Sequence, residues 1–171
     1  EVSEEGMVLM KNESALPLAK HSRISVFGKS SVNPAYGGGG SGALIGVEPV
    51  SLYDGLRNAG FYTNGVLESF YNNPILSGTG RSDKTYVNET PVSAYNDSVT
   101  GSFNTYKDAA VVVITRTGAE GSDLPRTGND KDGGARYLSI TKNEKDLIDY
   151  VNSKFDKVVL LVNSSNTIEL S

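Results

Sequence analysis

The chain reads as an α/β protein, a three-layer α/β/α sandwich around a mostly parallel, doubly wound sheet, truncated at its C-terminal end. Three observations predict this class. Two apolar runs, Val111-Val112-Val113-Ile114 and Val158-Val159-Leu160-Leu161-Val162, have the make-up of strands covered on both faces. Segments with helical apolar spacing separate them from shorter strand candidates. The resulting order β, α, β, α, α, β, α, β suits parallel strands joined by helical crossovers.

Taken in order, residues 1–12 read as a helix ending near Asn12, with no capping signal ahead of it. Leu16-Pro17-Leu18 forms an extended bridge, because proline biases its predecessor away from helix. Arg23 to Gly28 is the first strand, and a long loop from Lys29 to Pro49 follows. A helix runs from Ser51, a good amino-terminal cap, with Leu52, Leu56 and Ala59 on one face and Gly60 to stop it. Phe61 to Asn64 is a short strand and Val66 to Tyr71 a short helix. Residues 72–95 lack periodicity and read as a loop long enough to contact another domain. A helix is expected between Val99 and Lys107, with Phe103 and Tyr106 facing the core. Thr141-Lys142-Asn143-Glu144 fits a capping box, and Leu147, Ile148 and Val151 mark the buried face of its helix. Lys157 to Asn163 reads as a fully buried strand, and Ser164-Ser165-Asn166 as the start of one more helix.

Composition narrows the function. At 171 residues, with 37% hydrophobic and 21% charged residues, the chain is of globular make-up and large enough for a real core. A net charge of −4 without a basic run argues against nucleic acid. No stretch approaches the roughly 20 apolar residues of a membrane span, so no membrane is expected. With no cysteine and one histidine, His21, thiolate and multi-histidine metal sites are ruled out within this sequence. The Asn-x-Ser/Thr sequons at Asn12, Asn88, Asn96 and Asn163 are read as chance in a chain rich in these residues. Gly37, Gly39 and Gly42 match a dinucleotide fingerprint. They stand too far past the first strand for it, so no cofactor is expected.

The strand at 111–116 runs into Thr117-Gly118-Ala119-Glu120-Gly121-Ser122-Asp123, a polar loop with glycines on either side of one carboxylate. Ligands of open α/β sheets collect outside the carboxyl ends of the strands, which makes Glu120 a site candidate. A solvated turn with a surface glutamate is the plain alternative.

Several separated segments share one likeness. They are Glu5-Gly6-Met7-Val8-Leu9-Met10-Lys11-Asn12, Ala15-Leu16-Pro17-Leu18, Val26-Phe27-Gly28, Gly39-Gly40-Ser41-Gly42, Leu52-Tyr53-Asp54-Gly55-Leu56, Arg116 through Asp123, and Val162-Asn163-Ser164-Ser165. Together they resemble, in order, the second, α/β-sandwich domain of glycoside hydrolase family 3, the β-glucosidase group. The resemblance implies that residues 1–171 are part of that sandwich domain. A barrel domain carrying the nucleophilic aspartate is then missing, and the fragment alone is expected to be inactive. It implies that Glu120 is the general acid/base, and that the substrate is a β-glucoside or oligosaccharide. Leu124 stands where many members have arginine.

Retaining hydrolysis demands two carboxyl groups about 5–5.5 Å apart, and an acid whose pKa is raised toward neutrality. Arg116 and Asp123 are assigned to substrate binding or to support of Glu120. Lys11 and Asn12 stand at the domain junction or simply pair at a helix end. A non-catalytic carbohydrate-binding or interaction module is the competing class, with a Rossmann-like nucleotide binder behind it. A homo-oligomer is compatible with the sequence.

Overall fold

The structure, a computed structural model, describes residues 2–37, 46, 48–73, 88–118, 124, 126 and 136–170. Four strands make one sheet in the order β2-β1-β3-β4: β1 (Arg23–Phe27), β2 (Tyr62–Thr63), β3 (Ala109–Arg116) and β4 (Val158–Ser164). All three pairings are parallel, with Phe27 beside Val112 and Arg116 beside Ser164. The helices are α1 (Val2–Glu5), α2 (Leu52–Asn58), α3 (Gly65–Asn72), α4 (Asp97–Ser102) and α5 (Lys142–Asn152).

The alternation of strand side chains sorts the core into two layers. Ile24, Val26, Ala109, Val111 and Val113 face α2, meeting Tyr53, Leu52 and Leu56. Phe27, Ala110 and Val112 face the other way, onto Leu67 and Tyr71 of α3, Val99 of α4, and Leu147 and Val151 of α5. Phe103 and Phe155 close this layer, both edge-on to or tilted against Phe27 and each other. Helices therefore lie on both faces of a parallel sheet, the predicted three-layer, doubly wound arrangement.

Four local expectations change. The first helix ends at Glu5, and residues 7–12 are exposed and non-helical. So short an uncapped helix has little to sustain it beyond Gly6. α4 begins at Asp97, earlier than expected, because Asn96 accepts the Val99 amide and caps it; Phe103 is buried just past its end. β4 is not fully buried. It is the edge strand, and Leu160 and Leu161 remain 38% and 37% exposed. Finally, no helix starts at Ser164. Its hydroxyl accepts the Asn166 amide and donates to the Asn166 carbonyl, closing a tight turn instead.

Candidate active site

From β1 the chain leaves to one side for β2, then returns to the other side as β3. The carboxyl ends of β1 and β3 therefore flank the point where strand order reverses, the place where open α/β sheets hold ligands. Gly28, just past β1, has φ 98°, and a Cβ there would stand 2.5 Å from the Val113 carbonyl oxygen. Only glycine fits both the left-handed backbone and the close approach.

β3 is buried along all eight residues and delivers Arg116 and Thr117 to this edge. Arg116 is 0% exposed and its guanidinium grips Glu144 of α5 with both forks, at 2.7 and 2.6 Å. Its other donors reach the carbonyls of Tyr137 and Ser139, each at 2.7 Å, and of Thr115 at 2.9 Å. A buried charge pair is tolerable only when its remaining polar groups are satisfied, as these are. Arg116 thus faces inward toward α5. The Tyr137 hydroxyl donates to the Thr117 carbonyl and accepts from the Thr117 amide. The segment re-entering at Arg136 is tied further, since Glu169 accepts from Arg136 and from the Ser139 hydroxyl. Glu120 and Asp123 lie outside the described residues.

An open cleft of about 240 Å³ adjoins Thr117, lined by Ala35, Tyr36, Gly37, Asn163, Ser164 and Ser165. The Asn163 carboxamide builds one wall. It accepts the Ala35 amide at 2.7 Å, donates to the Ala35 carbonyl at 3.1 Å and accepts the Thr115 hydroxyl. β4 therefore holds the loop beyond β1 against the end of β3.

Residues 88–90, inside the stretch 72–95 that reads as a loop, are buried. The Glu89 carboxylate accepts the amides of Lys29, at 2.9 and 3.1 Å, and of Thr90 at 2.9 Å. Its backbone carbonyl accepts from the Asn143 side chain. Burial pushes the Glu89 carboxyl up to about 8, against the help of those amides. The Glu144 charge adds to the rise and Lys29 opposes it. Burial lowers Lys29, whose ammonium donates to the Tyr71 carbonyl at 2.5 Å. In a dinucleotide-binding fold the turn after the first strand cradles phosphate on its amides. Here the Lys29 amide is already taken by Glu89, and Lys29 opens only a 3-10 turn at Lys29–Ser31. Among the described residues no three or more His, Asp or Glu side chains gather as a metal site.

Residues 7–171 match the glycosyl hydrolase family 3 C-terminal domain. The chain belongs to that family. It is 32% identical to a β-glucosidase of Ruminococcus albus over 176 residues, covering 99% of this chain and 18% of that protein. β-Glucosidase A of Butyrivibrio fibrisolvens is 28% identical over 192 residues, covering 99% of this chain and 22% of that protein. Among solved structures, β-glucosidase 3B from Thermotoga neapolitana in complex with glucose superposes with a TM-score of 0.77. It is 26% identical, over 97% of this chain and 23% of that one. A β-glucosidase from Paenibacillus barengoltzii gives a TM-score of 0.73 and 30% identity, over 96% of this chain and 18% of that one. The chain thus spans about a fifth of the length of the curated relatives it matches, 18% and 22%.

In this family 3 domain the remaining candidates lie elsewhere. Lys11 is exposed and pairs with Glu13 at 2.9 Å, while the Asn12 carboxamide closes a turn onto both backbone groups of Leu16. Neither lines the cleft beside Thr117 and Asn163. Three residues that make contacts at this edge, Tyr137, Glu89 and Asn163, were not among the site residues expected from the sequence. Asn163 carried a signal, because it ends an apolar strand at the carboxyl edge. Tyr137 and Glu89 stand in aperiodic segments and carried none.

Proposed function

We propose that this chain is part of a retaining β-glucosidase that hydrolyses terminal β-linked glucosyl residues, with Glu120 as its general acid/base. A separate barrel domain supplies the nucleophilic aspartate. The observation that carries this reading is where β3 ends: it is fully buried, it ends at the point of reversed strand order, and the backbone of the next residue, Thr117, is held by Tyr137. Glu120 follows three residues later in the sequence. Membership of family 3 and relatives named β-glucosidases support the substrate class. The amide and hydroxyl groups lining the neighbouring cleft suit a ligand rich in hydroxyls.

In this mechanism the aspartate attacks the anomeric carbon and the glycosidic C–O bond breaks. Glu120 gives its proton to the departing oxygen. The Glu120 carboxylate then takes a proton from water, whose oxygen displaces the aspartate and frees the sugar. Because the two carboxyl groups come from different domains, the 171-residue chain alone is inactive.

The test is Glu120→Ala in the full-length enzyme. Turnover of an alkyl β-glucoside is expected to fall by about 10²–10⁴-fold, the range of general acid catalysis. An aryl β-glucoside with a good leaving group still forms the glycosyl-enzyme, and added azide speeds release as the glycosyl azide. Near-normal rates on the alkyl substrate would return Glu120 to an ordinary surface turn.

A further inference from the structure

Two independent ties fix one wall of the cleft beside the end of β4. The Asn163 side chain grips both backbone groups of Ala35, accepting its amide at 2.7 Å and donating to its carbonyl at 3.1 Å. The next residue, Tyr36, is hydrogen-bonded through its hydroxyl to the backbone of Leu52, the first residue of α2. Its side chain is nonetheless 46% exposed and lines the cleft. A ring held beside its backbone and at its far end has little freedom left to lose when a ligand settles on it.

The lining from β4 and the turn after it is polar. Asn163 has a second side-chain N–H beyond the one it gives to Ala35. The Ser165 hydroxyl is exposed and meets the Asn166 carboxamide at 3.5 Å, outside the ordinary O–H···O range. An aromatic face together with amide and hydroxyl donors matches a pyranose, whose ring C–H groups form an apolar face and whose hydroxyls rim it. The cleft holds about 240 Å³, below the roughly 300–1,000 Å³ of pockets for drug-sized ligands, which suits one sugar ring.

We infer that this cleft takes the sugar ring that departs, with Tyr36 as its platform, so that the enzyme prefers a saccharide to a small alkyl group on the leaving side. This rests on the proposed retaining mechanism. There the nucleophile belongs to a separate domain and attacks the anomeric carbon, so the glucosyl ring lies against that domain. The departing ring is the one left for groups on this chain. A methyl group in the leaving position fills none of this space and forgoes the contact with Tyr36.

In the full-length enzyme the readout is kcat/KM for cellobiose divided by kcat/KM for methyl β-glucoside. Both substrates have poor leaving groups that need the proton, and the ratio cancels any loss of folded protein. Tyr36→Ala should lower the ratio about 10-fold, the worth of one well-packed aromatic contact. Tyr36→Phe keeps the ring and should stay within about 3-fold of wild type. An unchanged ratio in Tyr36→Ala overturns the inference. So does an equal fall in Tyr36→Phe, which assigns the effect to the hydroxyl. If Tyr36→Ala does not fold, Tyr36→Leu decides by the same ratio and the same limits. Glu120→Gln keeps the two ideas apart. If it slows both substrates by about 10²-fold or more while the ratio is indifferent to Tyr36, the inference alone fails. Near-normal turnover of methyl β-glucoside by Glu120→Gln removes the reading beneath it.

Discussion

At the scale of single residues, Glu89 makes the fold sensitive to pH. Its carboxyl titrates near 4.5 when the chain is open and is pushed up to about 8 when buried beside Lys29 and Thr90. Between those values the folded chain holds a proton that the unfolded chain has lost. Stability from this group is therefore complete below about pH 4.5, declines as pH rises, and is gone above about 8. Urea midpoints measured from pH 5 to 8.5 should fall, and Glu89→Gln should flatten that trend. A trend unchanged in the variant would assign it to other groups. Residue types marked some candidates and hid others. Glu120 is singled out as a candidate by its glycine neighbours, and Arg116 only by the family resemblance. Glu89 sits in a polar stretch indistinguishable from solvated loop, because what buries it is the distant turn at Gly28 and Lys29.

At the scale of elements, the start of α5 carries two duties. Thr141 accepts the Glu144 amide at 3.2 Å, and Glu144 returns a carboxylate oxygen to the Thr141 amide at 2.9 Å. The same carboxylate binds Arg116 from β3. A helix cap and a strand-to-helix ion pair share one side chain, so loosening the cap loosens the base of the site. Thr141→Ala should cost about 1 kcal/mol in chemical denaturation, with Thr141→Ser close to wild type. A loss below about 0.3 kcal/mol would mean that Arg116 alone holds Glu144 in place. The capping box, the Ser51 cap and the β3 strand were legible because their signals are local. The extent of α1 was not, since apolar residues at 7–10 suggest a helix that nothing in the described structure packs against. The shift of α4 turned on one asparagine, Asn96, that composition alone reads as loop.

At the scale of the whole molecule, the order of strands and crossovers followed from two apolar runs and the helices between them. Sheet position did not. Val158-Val159-Leu160-Leu161-Val162 has the composition of an interior strand yet lies at an edge, half-exposed. Strand composition records what a strand is built to be covered by; it does not say which neighbours are present. The site shows the same division. The strand β3 from which the candidate loop leaves was readable from the sequence. The clamp beneath it joins Thr117 to Tyr137 and Arg116 to Glu144 across long sequence gaps, and only folding brings these together.

The burial of Asn88 and the pinning of Asn163 bear on where this protein can be made. Both begin Asn-x-Ser/Thr sequons, and a secretory host attaches its glycan while the chain is still unfolded. Asn88 ends 4% exposed, and the Asn163 carboxamide ends locked on Ala35, so neither can fold around an oligosaccharide. Secretion from yeast should yield mostly aggregated, glycosidase-sensitive material, read by gel shift and size exclusion. Thr90→Val with Ser165→Ala removes both sequons while keeping both asparagines. The Thr90 hydroxyl is buried without a hydrogen-bond partner, so its loss should be harmless and the secreted yield restored. Asn12 and Asn96, on the surface, would carry their sugars outward.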